Sequence, residues 1–145
     1  RQRTRASSDQ QPVVLARHVE GSRYLDGPVD LVLWPENVVN PGPSLPRQRA
    51  LELVQSVAAA TGAPVLAGWF YPVSDRATVN YQSTILPDGR EIDRYDKVRI
   101  VPFGEYVPLR GLIERFSSEM PGRDVQTGTA EPVLDTLTWD DLDEF

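Results

Sequence analysis

Two glutamates and one lysine are the candidate catalytic residues of this sequence, because each lies where α/β proteins commonly present functional groups. Glu36 follows the apolar run 30–34 and a proline, at the predicted carboxyl end of a strand, where open α/β sheets usually bind ligands. Lys97 is the only lysine in the chain and follows another predicted strand. Glu105 lies in a loop whose prolines, glycine and aromatic residues restrict its direction. Side chains of these types are suited to acid–base chemistry.

Each of these residues also has an ordinary structural interpretation. A glutamate at a strand end is commonly a solvated residue or a helix cap, and a lone lysine is commonly surface charge. A loop of prolines, glycines and aromatic residues is often only a packed connection. Because isolated motifs predict function poorly, the prediction depends on the order and spacing of the three groups together.

The composition excludes several classes of site. The net charge of −6 argues against a nucleic-acid-binding surface, which needs clustered basic residues. The chain has no cysteine, which excludes disulfides and thiolate metal sites. His18 is the single histidine, so a multi-histidine metal site within the chain is excluded. We expect His18 to be a partly exposed helix residue, and we predict no metal and no cofactor.

No signal peptide or membrane span is expected in the chain itself. The basic N-terminal residues 1–5 are not followed by an apolar core. The long uncharged window 53–74 contains glycines, prolines and polar residues, whereas a membrane span needs a cleaner apolar run of about 20 residues. We therefore interpret this window as the end of a helix, a turn and a strand.

The hydrophobic pattern predicts a layered α/β domain. A first helix is predicted over 12–25, with one apolar face. The continuous apolar run 30–34 predicts a strand that is buried on both faces. A second helix is predicted over 46–61, because its apolar residues recur at helical spacing and Gly62 is suited to be its C-cap.

The remaining predicted elements are a strand, a hairpin, a loop and a short helix. In order, they cover residues 64–70 for the strand, 80–86 and 91–95 for the hairpin, 96–108 for the loop and 109–116 for the helix. The hairpin turn Pro87-Asp88-Gly89 has residues typical of tight turns. Beyond Met120 the chain is predicted to be loop-like, with an acidic end.

Two motifs together resemble the carbon–nitrogen hydrolase (nitrilase) superfamily. They are Trp34-Pro35-Glu36 and the segment YDKVRIVPFGEYVP at 95–108. The second motif is the more specific one, and it is similar to the nitrilase-like domain of the apolipoprotein N-acyltransferases. The segment FSSEMPG at 116–122 is similar to actinobacterial members. The resemblance covers residues 12 to 133.

The resemblance implies an acyltransferase with a Glu–Lys–Cys triad. In such enzymes the cysteine forms an acyl-enzyme, the glutamate accepts the thiol proton and the lysine stabilises the oxyanion. By resemblance, Glu36 is the base and Lys97 is the oxyanion-stabilising lysine. Glu105 matches a further active-site glutamate that orients the lysine or assists proton transfer. The residues expected to contact substrate are Trp34, Phe103 and Tyr106.

The resemblance also implies the partners and location of a parent enzyme. The acyl donor is a membrane phospholipid, and the acceptor is the free amino group of the diacylglyceryl-cysteine that begins a lipoprotein. The parent enzyme is expected in the bacterial cell membrane with this domain on its outer face.

The resemblance is incomplete at both ends. Residues 1–11 are interpreted as a polar N-terminal segment, 12–133 as part of a nitrilase-like α-β-β-α sandwich, and 134–145 as an acidic tail unlike the family. The first strand and the C-terminal half with the nucleophilic cysteine are expected to be missing, so the chain alone is expected to be inactive. Exposed sheet edges also predict marginal stability and association. Ser117 and Ser118 lack the context of a nucleophile.

Two alternative functions follow from the same residues. The chain could be a fragment of a soluble carbon–nitrogen hydrolase that acts on small amides or nitriles. It could also be a non-catalytic nitrilase-like module kept for binding or assembly. Apolar membrane segments encoded upstream favour the acyltransferase, and an uninterrupted soluble reading frame favours the hydrolase.

Overall fold

The computed structural model describes residues 11–102, 105, 106, 108 and 123–129. Within these ranges the helices are α1 (Gln11–Ser22) and α2 (Arg47–Thr61). The strands are β1 (Val32–Leu33), β2 (Val65–Pro72), β3 (Ala77–Ile85), β4 (Glu91–Asp96) and β5 (Asp124–Val125). The predicted helix at 109–116 and the predicted acidic end lie outside the described residues.

Helix α1 forms where the sequence predicts it but ends three residues earlier, at Ser22. Leu15 and Val19 are buried on its inner face, as the predicted amphipathic pattern requires. After Ser22 the amides of Arg23 and Tyr24 donate to carbonyls three residues back, which is a tighter turn than an α-helix allows. The predicted continuation to Leu25 is therefore wrong.

Helix α2 confirms the predicted element and its C-cap. Its buried residues recur at helical spacing on one face, and they are Ala50, Val54, Val57 and Ala58. Gly62 adopts the left-handed conformation, with φ 66°, and its amide donates to the Ala58 carbonyl at 2.9 Å. Glycine adopts this conformation without the steric cost that a Cβ would bring.

The strands form one five-stranded mixed sheet in the order β1-β2-β3-β4, with β5 beside β3. β1 and β2 are parallel, whereas β2–β3 and β3–β4 are antiparallel. The predicted hairpin at 80–95 is confirmed as β3 and β4. Gly89 supplies the positive φ of 88° that its turn requires.

One face of the sheet packs against the helices and forms the core. Residues of both helices and of β1, β2 and β3 belong to a single buried apolar cluster. Trp69 on β2 and Tyr81 on β3 are paired in register and stack with ring centroids 5.8 Å apart. The described residues thus supply a helix layer and a sheet, as in half of a layered α/β sandwich.

The first strand is shorter than predicted and is not buried on both faces. Val32 and Trp34 are buried on the helix side, but Leu33 is 66% exposed on the other side. Within the described ranges no helix or strand covers that side of β1. Buried and exposed side chains therefore alternate along β1, as in a strand that is buried on one face only. The prediction of burial on both faces is wrong.

The segment after Met120 is not entirely loop-like. Asp124 and Val125 form β5, which pairs in parallel with Ala77 and Thr78 of β3. Two residues are too few to give a periodic signal in the sequence, so the prediction of a loop is wrong here. In the part of the chain that is described, no helix is long and apolar enough to cross a membrane.

Candidate functional site

Glu36 lies in a loop that interrupts the first strand of the sheet. The Trp34 amide donates to the Leu66 carbonyl, and the Val39 amide donates to the Gly68 carbonyl, both at 2.9 Å. The first strand thus advances five positions, from 34 to 39, while β2 advances two, from 66 to 68. The additional residues fold out over β2, on the face opposite the helices, and carry Glu36 with them.

Gly68 makes this loop possible. A Cβ at Gly68 would lie 2.5 Å from the Pro35 carbonyl oxygen and 2.8 Å from the Glu36 Cα. Neither atom belongs to a flexible side chain, so only glycine lets the backbone of Glu36 lie this close to the sheet. Asn37 then turns the chain back with φ 63°, a conformation that asparagine tolerates better than most residues.

Lys97 directly follows β4 and is held to the sheet through its backbone. Its amide donates to the Asn80 carbonyl of β3 at 2.9 Å, and its carbonyl accepts the Gly128 amide at 3.0 Å. A Cβ at Gly128 would overlap the Asp96 carbonyl oxygen. The close approach of the 123–129 segment to this backbone therefore also requires glycine.

Glu105 is anchored by its backbone and its side chain alike. Its amide donates to the Val101 carbonyl at 2.8 Å, and its carbonyl accepts the Val125 amide of β5 at 2.7 Å. Its Oε2 accepts the Val101 amide at 2.8 Å. Because β5 is paired with β3, the short strand that the sequence did not predict connects Glu105 to the sheet.

These elements bring the three predicted catalytic residues together. Lys97 Nζ lies 2.9 Å from Glu36 Oε1 and 2.8 Å from Glu105 Oε1. The side chain of Glu105 is 7% exposed, that of Lys97 24% and that of Glu36 48%. Glu36 is thus the solvent-accessible carboxylate, and Glu105 is the buried partner of the ammonium. Their catalytic roles stay a prediction.

A small open cavity lies beside the Glu36–Lys97 pair. Its volume is about 220 Å³, and its described lining consists of Glu36, Asn80, Tyr81, Gln82, Tyr95 and Lys97. At such an opening a carboxylate can accept a proton. The ammonium beside it can stabilise negative charge that develops on a reacting oxygen. Among the residues described, no group of three or more His, Asp or Glu is arranged to hold a metal ion.

The two glutamates keep Lys97 protonated. Burial lowers the pKa of Lys97, but the hydrogen bonds and charges of Glu105 and Glu36 outweigh that effect and raise its pKa above the ordinary lysine value. A raised pKa means that protonated Lys97 stabilises the folded state below the ordinary lysine pKa. This contribution is lost as the pH rises through the raised pKa of Lys97.

Changing Glu105 to glutamine is expected to lower the pKa of Lys97, because it removes the charge of one of the two carboxylates that hold the ammonium. The pKa can be measured from the ¹³Cε resonance of labelled lysine, since Lys97 is the only lysine and gives a single signal. Glu52→Gln on the exposed face of α2 is the matched control, because Glu52 pairs with Arg49 instead. An unchanged Lys97 titration in Glu105→Gln would contradict the contact.

Of the residues predicted to contact substrate, the two that the structure describes, Trp34 and Tyr106, are not in the described lining of the cavity. Trp34 is 3% exposed on the helix side, and its Nε1 donates to Ser22 Oγ at 3.2 Å. Tyr106 pairs with Pro102 directly after Glu105 and is not among the described residues of the cavity lining. Phe103 lies outside the described residues. His18, as expected, is a partly buried residue of α1, and its Nδ1 lies 2.8 Å from the Val14 carbonyl oxygen.

Sequence reasoning did not identify the residues that support the site. Asn80 contacts Glu36, and Gly68 and Gly128 lie against the backbone at Glu36 and at Asp96, respectively. One signal was available for Asn80, because asparagine is disfavoured within a strand and Asn80 interrupts an otherwise strand-forming run. Gly68 also carries a signal, because an isolated glycine within a strand pattern often marks a close approach of another backbone.

The comparison with known proteins finds relatives that the chain matches in part. The chain is 35% identical over 112 residues to the apolipoprotein N-acyltransferase of Pseudomonas syringae pv. tomato, which is 72% of this chain and 21% of that protein. It is 34% identical over 125 residues to the apolipoprotein N-acyltransferase of Azotobacter vinelandii, which is 77% of this chain and 22% of that protein. The chain thus spans about a fifth of the length of the curated relatives that it matches.

The comparison with solved structures finds a partial likeness. A CN-hydrolase superfamily protein of Xanthomonas campestris is similar with a TM-score of 0.49 and 20% identity, over 65% of this chain and 37% of that chain. No family model matches the sequence. The resemblance that the sequence motifs predicted is confirmed as a partial match to the nitrilase-like region of apolipoprotein N-acyltransferases.

Proposed function

We propose that this chain is part of an apolipoprotein N-acyltransferase and supplies the base and the oxyanion-stabilising lysine of its active site. The complete enzyme would transfer an acyl chain from a membrane phospholipid to the amino group of a lipoprotein's N-terminal diacylglyceryl-cysteine. The proposal places the complete enzyme in the bacterial cell membrane, with this domain on the outer face. The partial match to N-acyltransferases supports this reaction class.

The observation that carries the proposal is the contact between Glu36 and Lys97. The accessible carboxylate of Glu36 lies 2.9 Å from the Lys97 ammonium. The buried carboxylate of Glu105 contacts the same ammonium at 2.8 Å. Exposed ion pairs contribute little to stability. Lys97 differs from such a pair because it also contacts Glu105, whose side chain is buried. The arrangement instead fits a lysine that is kept charged and directed toward a reacting oxygen.

In the first half of the proposed reaction, Glu36 accepts the proton of a cysteine thiol. The chain contains no cysteine, so the proposal assigns this nucleophile to another part of the longer protein. The thiolate attacks the ester carbonyl of the phospholipid, and the Lys97 ammonium stabilises the resulting oxyanion. When the intermediate collapses, the ester C–O bond breaks and Glu36 returns the proton to the leaving alcohol, which departs as lysophospholipid.

In the second half, the amino group of the lipoprotein attacks the thioester. Glu36 accepts the proton of the attacking nitrogen, and Lys97 again stabilises the oxyanion. The C–S bond breaks, and the proton returns to the cysteine sulfur. The products are the N-acylated lipoprotein and the free enzyme, so each proton that Glu36 accepts is released within the same half-reaction.

The test uses the complete coding region from which this chain derives. We expect it to restore lipoprotein N-acylation, read by mass spectrometry of lipoprotein N-termini, in bacteria depleted of their own N-acyltransferase. Glu36→Gln is expected to abolish this activity, whereas Glu20→Gln on the exposed side of α1 is the matched control and is expected to retain it. The purified 145-residue chain is expected to form no acyl-enzyme with phospholipid, because it has no cysteine.

Three outcomes would overturn the proposal in whole or in part. Hydrolysis of small amides or nitriles by the complete protein, without N-acylation, would assign it to the soluble hydrolases. A complete protein that folds but neither acylates nor hydrolyses would assign it to binding or assembly. Normal acylation by Glu36→Gln would refute the role of Glu36 as the base.

A further inference from the structure

Asn80 is bonded to both members of the accessible ion pair. Its side-chain Nδ2 donates to Glu36 Oε1 at 2.5 Å, and its backbone carbonyl accepts the Lys97 amide at 2.9 Å. Glu36 and Lys97 are 61 residues apart in the chain, and both reach the same residue of β3. Asn80 is thus a fixed point between two groups that come from separate loops.

The surroundings of Asn80 leave its side chain little freedom. The residue is 3% exposed and is paired on both sides, with Phe70 of β2 and with the backbone of Lys97. Its neighbour Tyr81 points to the other face of the sheet, where it stacks on Trp69. A side chain held in a central strand is more precisely placed than one on a loop.

We propose that Asn80 is a positioning residue that sets the separation of the Glu36 carboxylate and the Lys97 ammonium. Glu36 comes from a loop and its side chain is 48% exposed, and its hydrogen bond to Asn80 connects it to a buried residue of β3. The amide of Asn80 donates a hydrogen bond without adding charge to a site that already has two carboxylates and one ammonium. The contacts of Asn80 do not depend on the proposed function, but their effect on catalysis rests on it.

Asn80 and Lys97 contact the same oxygen of Glu36. Oε1 accepts hydrogen bonds from Asn80 Nδ2 and from Lys97 Nζ, which engages the two lone-pair directions of one carboxylate oxygen. The two contacts together fix the position of this oxygen between β3 and Lys97.

The experiment uses Lys97 as a reporter that needs no enzymatic activity. The 145-residue chain is prepared with ¹³Cε-lysine, so Lys97 gives one resonance whose titration midpoint is its pKa. We compare the unchanged chain with Asn80→Ala, Glu36→Gln and the double variant. If Asn80 holds Glu36 against Lys97, Asn80→Ala lowers the pKa of Lys97. The decrease is at most as large as the decrease in Glu36→Gln. In the double variant the pKa then falls no further than in Glu36→Gln alone.

A second pair of variants separates positioning from folding. Ser83→Ala removes a buried hydrogen bond to Trp69 Nε1 on the opposite face of the same strand, and we expect it to leave the Lys97 titration unchanged. Asn80→Asp keeps the shape of the side chain but replaces the donor with a carboxylate. It is expected to displace Glu36, because two like charges would face each other, and to weaken the dependence of the Lys97 pKa on Glu36.

Three results would overturn the inference. They are an unchanged Lys97 pKa in Asn80→Ala, additive shifts in the double variant, and an equal shift in Ser83→Ala. None depends on acyl transfer, so a failure of the proposed function is recognised separately, by absent N-acylation in the complete protein.

Discussion

Changing Lys97 to methionine in the complete protein is expected to slow acyl-enzyme formation by about 100-fold to 1,000-fold, the usual effect of removing one oxyanion-stabilising group. The ammonium is held between Glu36 and Glu105 at 2.9 and 2.8 Å, so its direction is fixed before substrate arrives. Methionine has a similar length but no charge. The rate can be measured by single-turnover transfer from a labelled phospholipid, with thermal unfolding recorded for each variant.

The controls distinguish a lost charge from a lost fold. Lys97→Met leaves the carboxylate of Glu105 buried without its ammonium, and this destabilises the domain. Lys97→Arg keeps the positive charge but differs in shape and hydrogen-bond geometry, so it is expected to fold and to remain slow. Arg99→Met removes a charge from an exposed position two residues away and is expected to leave the rate unchanged. A folded Lys97→Met variant that reacts at the normal rate would refute the role of the lysine.

Gly68→Ala is expected to disrupt both the fold and the site, although it adds only one methyl group. The new Cβ would lie 2.5 Å from the Pro35 carbonyl oxygen and 2.8 Å from the Glu36 Cα, so the loop that carries Glu36 must move. Overpacking of this kind costs about 1–3 kcal/mol. We expect a lower free energy of unfolding in urea and, in the folded fraction, a Lys97 pKa that falls as in Glu36→Gln.

Gly21→Ala is the matched control for this substitution. A Cβ at Gly21 meets no atom within 4 Å, and the residue lies within helix α1. Alanine is a better helix former than glycine by about 1 kcal/mol, so this variant is expected to be as stable as the original chain or more stable. If Gly68→Ala and Gly21→Ala have equal stability, the contact at Glu36 is not the constraint we describe.

The sequence predicts most of the local structure of the described residues and the main residues of the candidate site. Helix α2 and the β3–β4 hairpin are predictable because periodicity, Gly62 and Gly89 all act within a few residues. Glu36, Lys97 and Glu105 are predictable as a set because two motifs resemble known proteins.

What the sequence does not predict depends on contacts between distant segments. The loop around Glu36 exists because Gly68, which belongs to another strand, leaves room for it. Asn80 lies 44 residues from the glutamate that it contacts, and β5 has only two residues. The burial of β1 was also predicted wrongly. A run of apolar residues shows that a strand is suited to burial on both faces, but it does not show whether another element packs on each face.

The separation of the contacting residues also has a consequence for how this chain folds. The pair Glu36–Lys97 spans 61 residues and Asn80–Glu36 spans 44, whereas Lys97–Glu105 spans only 8. Closing long segments is slow because their entropy is lost before the contacts form. During synthesis Glu36 leaves the ribosome well before the strand that positions it. The buried half of the ion-pair network can therefore form locally, while the accessible glutamate joins it only after β2, β3 and β4 have paired.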